Sequence, residues 1–376
     1  MSAVLTLASQ RAALSSGKSA SDLLESALAP AGFRWHRFAG KKSGGLAIAR
    51  RANPERRPIQ LLLGHTDTVW AHGSLPMRRV DGRLYGPGAF DMKGGLTQAV
   101  FALTTLAELG LEPPLSPVWF LNSDEESGSG ESTRTIVRLA KLARRVYVLE
   151  PALGPDGKLK TARKGAGRFS ILIRGREAHS GLEPERGASA ILELARVVET
   201  LHALNDFARG TTVNVGVVSG GTRANVVAGE ARAEVDVRTV DESERVRVEA
   251  ILRALAPTVP GVEVEVRGGI DRPPLERTPR NRALWRLAQE AASLLDLPLE
   301  EGTAGGGSDG NTTSRYTATL DGLGAVGDGA HATHEHVILD RCAERAALLA
   351  LLLLAPDRDA SSARDGLPFS PPEFRD

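Results

Sequence analysis

The sequence is poor in three kinds of residue, and each shortage argues against a class of protein. One cysteine, Cys342, stands in 376 residues, so the chain can form no internal disulfide and no metal site built from thiolates. Aromatic residues make up 4%, and 47 Lys and Arg against 46 Asp and Glu leave a net charge of +1. That balance disfavours a protein that binds nucleic acid or an anionic membrane surface. Any metal must be held by His, Asp and Glu.

Long hydrophobic runs are also missing. The most apolar stretch, AALLALLLLAP (346–356), is too short to span a bilayer and predicts a buried terminal helix. The first twenty residues have no basic segment ahead of their short apolar run, which favours the start of a helix over a signal peptide. Residues 357–376 are rich in Pro, Ser and charge and predict a loose tail. We therefore expect a cytoplasmic protein with no membrane partner.

What the sequence does contain is an alternation of short apolar runs with helical patterns. The runs PIQLLL (58–63), SPVWFL (116–121) and RVYVL (145–149) are typical of strands that are buried on both faces, as in a parallel sheet. Helical periodicity covers residues 94–110 and 131–143 between them. Alternating strands and helices predict an open α/β sheet.

This rhythm changes near residue 166. The following segments read as strand, helix, strand, strand, helix and strand, an order that predicts a ferredoxin-like α+β unit. The α/β pattern then returns. We therefore predict one α/β domain formed by residues 1–164 and 277–356, with a ferredoxin-like domain, residues 165–276, inserted into it.

Candidate metal ligands follow each apolar run and occupy two glycine-rich loops. Because ligands bind at the carboxyl ends of the strands in open α/β sheets, these side chains should meet at one edge. The residues are His65 and Asp67 after the first run, Asp124, Glu125 and Glu126 after the second, Glu150 after the third, Asp91 in YGPGAFDMKGG, and His331 in GLGAVGDGAHATHEHV.

Each residue also has a simpler explanation. His65 could be a buried histidine at a strand end, Asp91 a helix cap, and the acidic residues 124–126 charges placed ahead of a helix. His331, His334 and His336 could form a solvated loop. One site accounts for all of these positions together, because crowded carboxylates repel each other and need a cation.

The kinds of ligand indicate which cation is expected. His nitrogens and carboxylate oxygens without thiolate fit zinc, or another divalent first-row metal, better than calcium or magnesium. Two histidines and at least three carboxylates exceed the four ligands that one zinc needs, so we expect two metals that share a bridging carboxylate. In such a site His65 is a ligand and Asp67 orients it.

Seven motifs in this order and spacing resemble those of a known family: GHTDTV, YGPGAFDMKGG, NSDEESGS, LEP, GREAHSG, GGGSDGN and GAHATHEHV. The sequence is similar, from about residue 60 to 350, to the di-zinc exopeptidases. That family includes glutamate carboxypeptidases of the carboxypeptidase G type, acetylornithine deacetylases, desuccinylases and aminoacylases. The resemblance implies that the α/β domain is catalytic and has the phosphorylase/hydrolase-like fold. It also implies that the inserted domain is a dimerisation or lid domain.

The resemblance also implies a role for each site residue. Two Zn²⁺ ions, for which Co²⁺ or Mn²⁺ could substitute, are bridged by Asp91, and the peptide bond after Asp91 is cis. Asp67 supports His65, and Glu125 is the general acid/base. The remaining metal ligands are His65 and Glu150 on one zinc, and Glu126 and His331 on the other.

On the inserted domain, the resemblance makes His179 a residue that reaches the active site of the partner subunit of a homodimer and stabilises the oxyanion. Asn225, Arg238 and Arg272 would meet the carboxylate of a small-molecule substrate. Arg272 could equally be a surface arginine paired with a glutamate.

The predicted activity is a zinc-dependent cleavage of the amide bond of N-acyl or N-aminoacyl amino acids. The two metals lower the pKa of a bridging water and so generate a hydroxide nucleophile, while Glu125 takes the proton and passes it to the leaving amine. The segments VDGRLYGPGAFDMKGG, RKGAGRF and GLEPERGASAILEL resemble the glutamate carboxypeptidase branch. Lys158 could contact an acidic side chain of the substrate or be an exposed loop lysine. The alternatives are an acetylornithine or succinyl-diaminopimelate type of deacylase, an aminoacylase, and a catalytically silent binding protein on the same fold.

Overall fold

The computed structural model of the chain describes residues 19–51 and 57–357. The predicted N-terminal helix start, residues 1–18, and the predicted tail beyond Asp357 lie outside the described residues. The chain divides into two compact units. The first unit comprises Met1–Ala162, Arg277–Thr303 and Ser308–Asp376, and the second comprises Arg163–Glu276 and Ala304–Gly307.

The strands of the described residues are named in chain order. They are β1 (Phe33–Phe38), β2 (Leu46–Arg51), β3 (Ile59–His65), β4 (Arg78–Val80), β5 (Arg83–Tyr85), β6 (Ser116–Asn122), β7 (Ala143–Val148), β8 (Leu159–Arg163), β9 (Gly165–Arg174), β10 (Thr212–Gly220), β11 (Glu230–Thr239), β12 (Glu263–Arg272), β13 (Glu301–Ala304), β14 (Ala318–Leu320), β15 (Gly327–Asp328) and β16 (His336–Ile338).

The α-helices are named in the same way. They are α1 (Ala20–Leu28), α2 (Gly94–Glu108), α3 (Thr133–Leu142), α4 (Ala190–His202), α5 (Glu242–Arg253), α6 (Pro279–Ser293), α7 (Asp309–Thr313) and α8 (Cys342–Leu354). Among the described residues, none of the helices is both long enough and apolar enough to cross a membrane.

The first unit is built on a six-stranded mixed sheet in the order β1-β2-β6-β3-β7-β14. Strands β6, β3, β7 and β14 run parallel, which confirms the parallel pairing predicted for the three apolar runs. The sequence patterns did not predict the hairpin β1–β2, which extends the sheet antiparallel to β6.

Both faces of this sheet are covered, and that explains the uninterrupted apolar runs. Because successive side chains of a strand point to opposite faces, Leu62 packs into the core on one face while Leu61 and Leu63 pack on the other. Helices α1, α2, α6 and α8 contribute to the first core and α3 to the second. The predicted terminal helix is α8, whose residues Leu348 and Leu352 are fully buried.

Helix α2 begins unusually close to the end of β7. A Cβ atom at Gly95 would lie 2.1 Å from the carbonyl oxygen of Leu149, a distance that real atoms do not adopt. Glycine at this position therefore allows the helix to start directly beside the sheet edge. The first unit also contains a smaller sheet in the order β15-β16-β5-β4 and the pair β13-β8.

The second unit has the predicted ferredoxin-like arrangement. Its antiparallel sheet has the order β10-β11-β9-β12, and the chain runs β9, α4, β10, β11, α5, β12. Alternate residues of β9, Phe169, Ile171 and Ile173, enter the core with apolar residues of both helices. Strands β10 and β12 form the two edges of this sheet.

Candidate metal centre

The predicted ligands of the first unit lie at the carboxyl edge of the large sheet. His65 is the last residue of β3 and stands opposite Asn122, the last residue of β6. Glu126 lies in the turn after β6, and Glu150 follows β7 by two residues. Parallel strands end at a common edge, so neighbouring strands bring these side chains together.

The first group of ligand atoms comprises His65, Asp91 and Glu150, which lie within 4.8 Å of one another. Nε2 of His65 is 3.3 Å from Oδ1 of Asp91 and 3.4 Å from Oε1 of Glu150. On the other side of the ring, Nδ1 lies 3.1 Å from the backbone oxygen of Asp67 and 3.4 Å from its Oδ1. Asp67 therefore holds Nδ1 and directs Nε2 towards the two carboxylates.

The second group comprises Asp91, Glu126 and His331. Nε2 of His331 is 3.1 Å from Oε2 of Glu126 and 3.6 Å from Oδ2 of Asp91. Asp91 thus presents one oxygen to each group, Oδ1 to the first and Oδ2 to the second. This is the arrangement that a bridging carboxylate requires. Asp91 also precedes a cis peptide bond to Met92, as the resemblance implies.

The charges at this edge indicate that it is built for cations. Burial, together with the negative charge of Asp91, raises the pKa of Glu126 to about 8, and its Oε1 is buried without a hydrogen-bond partner among the described residues. Burial opposes protonation of His65, but Asp67 and the carboxylates of the first group outweigh it and raise the pKa of His65 well above its ordinary range. Divalent cations would neutralise this crowding, so the residues fit metal ions.

The three acidic residues after β6 have different surroundings. Asp124 accepts the backbone N–H groups of Glu131 and Ser132, at 2.8 and 3.1 Å, which is the helix-start explanation considered from the sequence. Glu125 lies close enough for its charge to raise the pKa values of both His65 and Glu126, yet it belongs to neither ligand group.

Asp67 and Asp309 hold the turn that carries Glu125 and Glu126. Oδ2 of Asp67 accepts the backbone N–H of Glu126 at 3.0 Å, so one carboxylate contacts both a histidine and a ligand-bearing turn. Asp309 is buried and accepts the Ser129 hydroxyl at 2.5 Å and the Asn122 amide at 2.8 Å. Sequence reasoning did not single out Asp309, although it lies in the quoted motif GGGSDGN.

Glu335 is a second residue that the sequence analysis missed. It lies in the quoted motif GAHATHEHV, in which only the histidines were considered as candidate ligands. His334 is exposed, and His336 stacks on Tyr85 with 4.9 Å between ring centres. Glu335 is almost fully buried and accepts the backbone N–H of Asp91.

In the second unit, His179 and Asn225 lie together. The backbone N–H of Ser180 donates to the carbonyl oxygen of Asn225 at 3.1 Å. Nδ1 of His179 accepts the backbone N–H groups of Gly181 and Leu182, at 3.1 and 3.2 Å. A neutral His179 therefore carries its proton on Nε2, which leaves a hydrogen-bond donor at the exposed end of the ring.

Arg238 and Arg272 lie at the other end of the same sheet. Both stand opposite Ala166, on the two sides of β9. The loop that contains Asn225 precedes β11 at the far end of the sheet, where Glu230 pairs with Arg174. Arg174 lies eight residues along β9 from Ala166, which corresponds to about 27 Å of strand. Arg238 makes two hydrogen bonds to Asp236, at 2.8 and 2.9 Å.

Lys158, in the first unit, is engaged on the surface. Its Nζ lies 2.5 Å from Oε2 of Glu300, whose side chain is 67% exposed, while that of Lys158 is 33% exposed. Hydrogen bonding to Glu300 raises the pKa of Lys158. An ion pair with Glu300 is compatible with the loop lysine considered from the sequence, and a contact between Lys158 and substrate stays a prediction.

The sequence signature of Peptidase family M20/M25/M40 matches residues 61–355. The chain belongs to this family. It is 29% identical over 304 residues to carboxypeptidase G2 of Pseudomonas sp. (strain RS-16), covering 78% of this chain and 73% of that protein. It is 28% identical over 349 residues to a succinyl-diaminopimelate desuccinylase of Rhodopseudomonas palustris (strain TIE-1), covering 84% and 87%.

Solved structures show the same fold. An aminopeptidase from Bacillus cereus superposes with a TM-score of 0.73 at 21% identity, covering 89% of this chain and 92% of that one. The relatives of this chain in the M20 family include carboxypeptidases and deacylases, which act on peptide or amide bonds. The chain is therefore a hydrolase of such bonds.

Proposed function

We propose that the chain is a di-metal hydrolase that releases an amino acid from N-acyl or N-aminoacyl amino acids, with a glutamate carboxypeptidase type of activity. The observation that carries the proposal is the position of Asp91, whose two oxygens face two separate groups of His and carboxylate ligands. The similarity to carboxypeptidase G2 supports this branch of the family.

Two zinc ions are the proposed cofactors, with Co²⁺ or Mn²⁺ as substitutes. Bound zinc would polarise the amide carbonyl and lower the pKa of a water molecule. The first group, with Glu150, would hold one ion and the second group, with Glu126, the other. Asp91 would belong to both. These donors are N and O atoms without thiolate, which suit zinc and its divalent neighbours.

Glu125 is the proposed general acid/base. It carries a carboxylate beside both groups without belonging to either, so the proposed metal ions would not occupy it. It would take a proton from the attacking water and deliver it to the leaving amine. The roles of Asp67 would be to orient His65 and to hold the turn that carries Glu125.

We also propose a homodimer formed by the second unit, with His179 acting on the partner's site. The distance between the two ends of the sheet supports this, because an N-acyl amino acid is shorter than the span from Arg238 to the loop of Asn225. In one chain these residues could not contact the same small substrate. Strand β10 is an open edge with exposed Val217 and Val218, and such an edge can pair with a second chain.

A deacylase is the second candidate, and the extent of the sequence similarity favours it. The desuccinylase similarity covers more of both chains than the carboxypeptidase similarity does. The two candidates differ in the acyl group and in the side chain of the released amino acid, and they share the same site.

A substrate panel distinguishes these candidates. Metal-free protein is loaded with two equivalents of Zn²⁺ and tested on folyl-glutamate, N-acetyl amino acids, succinyl-diaminopimelate and dipeptides. Release of glutamate from folyl-glutamate supports the first proposal, and preferential release of succinate or acetate supports the second. Glu125→Gln should lower kcat by about 10² to 10⁴, the usual contribution of a general acid/base, with both metals still bound. Glu112→Gln, at an exposed ion pair, is the control and should keep wild-type kcat.

A mixing experiment tests the trans role of His179. Glu125→Gln and His179→Ala chains are each inactive in the proposal, but in a mixed dimer one site has both an intact Glu125 and an intact His179 from the partner. Random mixing should restore about one quarter of wild-type activity, since half of the dimers are mixed and one site in each is complete. Mixing without any restored activity would contradict the trans arrangement.

A further inference from the structure

Glu335 is a buried carboxylate that receives four N–H donors. Its Oε1 accepts the backbone N–H groups of Phe90 and Asp91, both at 3.0 Å. Its Oε2 accepts the backbone N–H of Gly88 at 3.0 Å and Nε1 of Trp70 at 2.7 Å. The side chain is 1% exposed, so water does not compete for these bonds. Hydrogen bonds to an ionised acceptor are stronger than those between neutral groups.

Three of the four donors belong to the segment 88–91, which delivers Asp91. Gly88 has a positive φ of 66° and precedes the turn Ala89–Lys93, and a turn of this kind points successive N–H groups towards one place, where an anion can bind. Here the anion is supplied by the protein itself. Because one of the bonds is made to the backbone N–H of Asp91, Glu335 sets the direction in which the Asp91 carboxylate leaves the backbone.

The other end of Glu335 is attached to the loop of His331. The backbone N–H of Glu335 donates to Ala332, and that of Ala332 donates to Gly329, at 2.9 and 2.8 Å, so His331 sits inside a compact turn. His331 itself is half exposed and has a positive φ of 61°. With little packing around its ring, its position depends on how this turn is anchored.

We propose that Glu335 is a positioning residue that ties the turn of Asp91 to the loop of His331 and so prepares the shared metal site. This inference rests on the proposed di-metal function. Glu335 would not touch the substrate or the metals. It would act by fixing two residues that come from segments about 240 positions apart in the chain.

The test measures metal affinity directly and does not depend on turnover. Metal-free full-length protein is titrated with Zn²⁺ by calorimetry, and with Co²⁺ by absorption. Glu335→Gln keeps the shape but turns an N–H₂ group towards N–H donors. We expect zinc affinity to fall about 10- to 100-fold, the loss typical when a partner of a metal ligand is removed, together with a changed Co²⁺ absorption spectrum.

A matched control separates positioning from general stability. Glu193 is equally buried, at 1% exposure, and its Oε2 accepts the backbone N–H groups of Thr258 and Val259 at 2.9 and 2.7 Å. It lies in the unit that carries neither ligand group. Glu193→Gln should lower the thermal stability while zinc affinity and the Co²⁺ spectrum stay those of the wild type.

A milder variant keeps the test decisive if Glu335→Gln does not fold. Trp70→Phe removes one donor and leaves the three backbone donors, so zinc affinity should fall by less than in Glu335→Gln but still measurably. Wild-type zinc affinity in a folded Glu335→Gln protein, or in Trp70→Phe when the first variant does not fold, would overturn the positioning role. Failure of the wild-type chain to bind zinc would overturn the di-metal function as well. Zinc binding without hydrolysis of any panel substrate would count against the function alone.

Discussion

The buried carboxylate of Asp309 offers a quantitative test of how the turn with Glu125 and Glu126 is held. Asp309 accepts hydrogen bonds from Ser129 and Asn122 and is 4% exposed. Asp309→Ala removes both acceptors and leaves two donors buried. Hydrogen bonds to a charged group are each worth about 1.5–3 kcal/mol, so the free energy of unfolding should fall by about 3–6 kcal/mol.

Asp309→Asn should have a smaller effect, because the geometry allows the hydrogen bonds to be remade. The amide oxygen can still accept from Asn122, and the new N–H₂ group can donate to the Ser129 hydroxyl, which is able to accept. What is lost is the charge, and the difference between charged and neutral hydrogen bonds is about 1 kcal/mol for each of two bonds. We therefore expect a loss of about 2 kcal/mol.

Tryptophan fluorescence measures these losses in the relevant part of the chain. All four tryptophans, Trp35, Trp70, Trp119 and Trp285, belong to the first unit, so a urea titration followed by their emission reports unfolding of the unit that contains Asp309. Asp81→Asn is the control. It makes the same chemical change in an exposed turn with a φ of 46°, which asparagine tolerates. Equal stability of Asp309→Ala and wild type would refute the reasoning.

Three further predictions concern packing and pH. Gly95→Ala should lower both the unfolding free energy and the zinc affinity, because its Cβ would meet the carbonyl oxygen of Leu149 at 2.1 Å. Urea and zinc titrations measure the two quantities, and wild-type values would contradict the prediction. Tyr147→Phe should cost about 1 kcal/mol, since the Leu352 carbonyl loses its buried donor at 2.9 Å, as fluorescence-detected unfolding can measure. Burial opposes ionisation of Asp241, but the hydroxyl and backbone N–H at the start of α5 outweigh it and lower its pKa to about 2. Its stabilising effect is therefore full above about pH 4 and lost as pH falls towards 2. The free energy of opening of residues 242–253, measured by hydrogen exchange at pH 6, should be about 1 kcal/mol lower in Asp241→Ala than in wild type. A difference that persists undiminished at the lowest pH would count against this.

Several features of the fold could be predicted because they depend on the local spacing of apolar residues along the chain. The run LLL at 61–63 predicts a strand buried on both faces, and β3 has that environment. The strand and helix order after residue 166 predicts the ferredoxin-like arrangement, which the sheet order confirms. The hairpin β1–β2 escaped prediction because its strands are largely exposed or half buried and so lack a strong pattern.

The sequence by itself determined which residue types stand at strand ends, and with them the kind of chemistry: imidazoles and carboxylates without thiolate. The order of the motifs predicted that His65, Asp91 and His331 lie at one site. The individual role of each residue stays a prediction. Residue type and spacing are local properties, so they can be read along one chain without knowing how distant segments meet.

Only the tertiary structure decided which carboxylate contacts which donor. Glu335 meets Asp91 across 244 positions and Asp309 meets Ser129 across 180, while Lys158 meets Glu300 at the surface. With 46 acidic residues in the chain, many such pairs are chemically equivalent in the sequence. Folding selects among them because a buried carboxylate is stable only where several donors converge, and that convergence exists only after distant segments have packed.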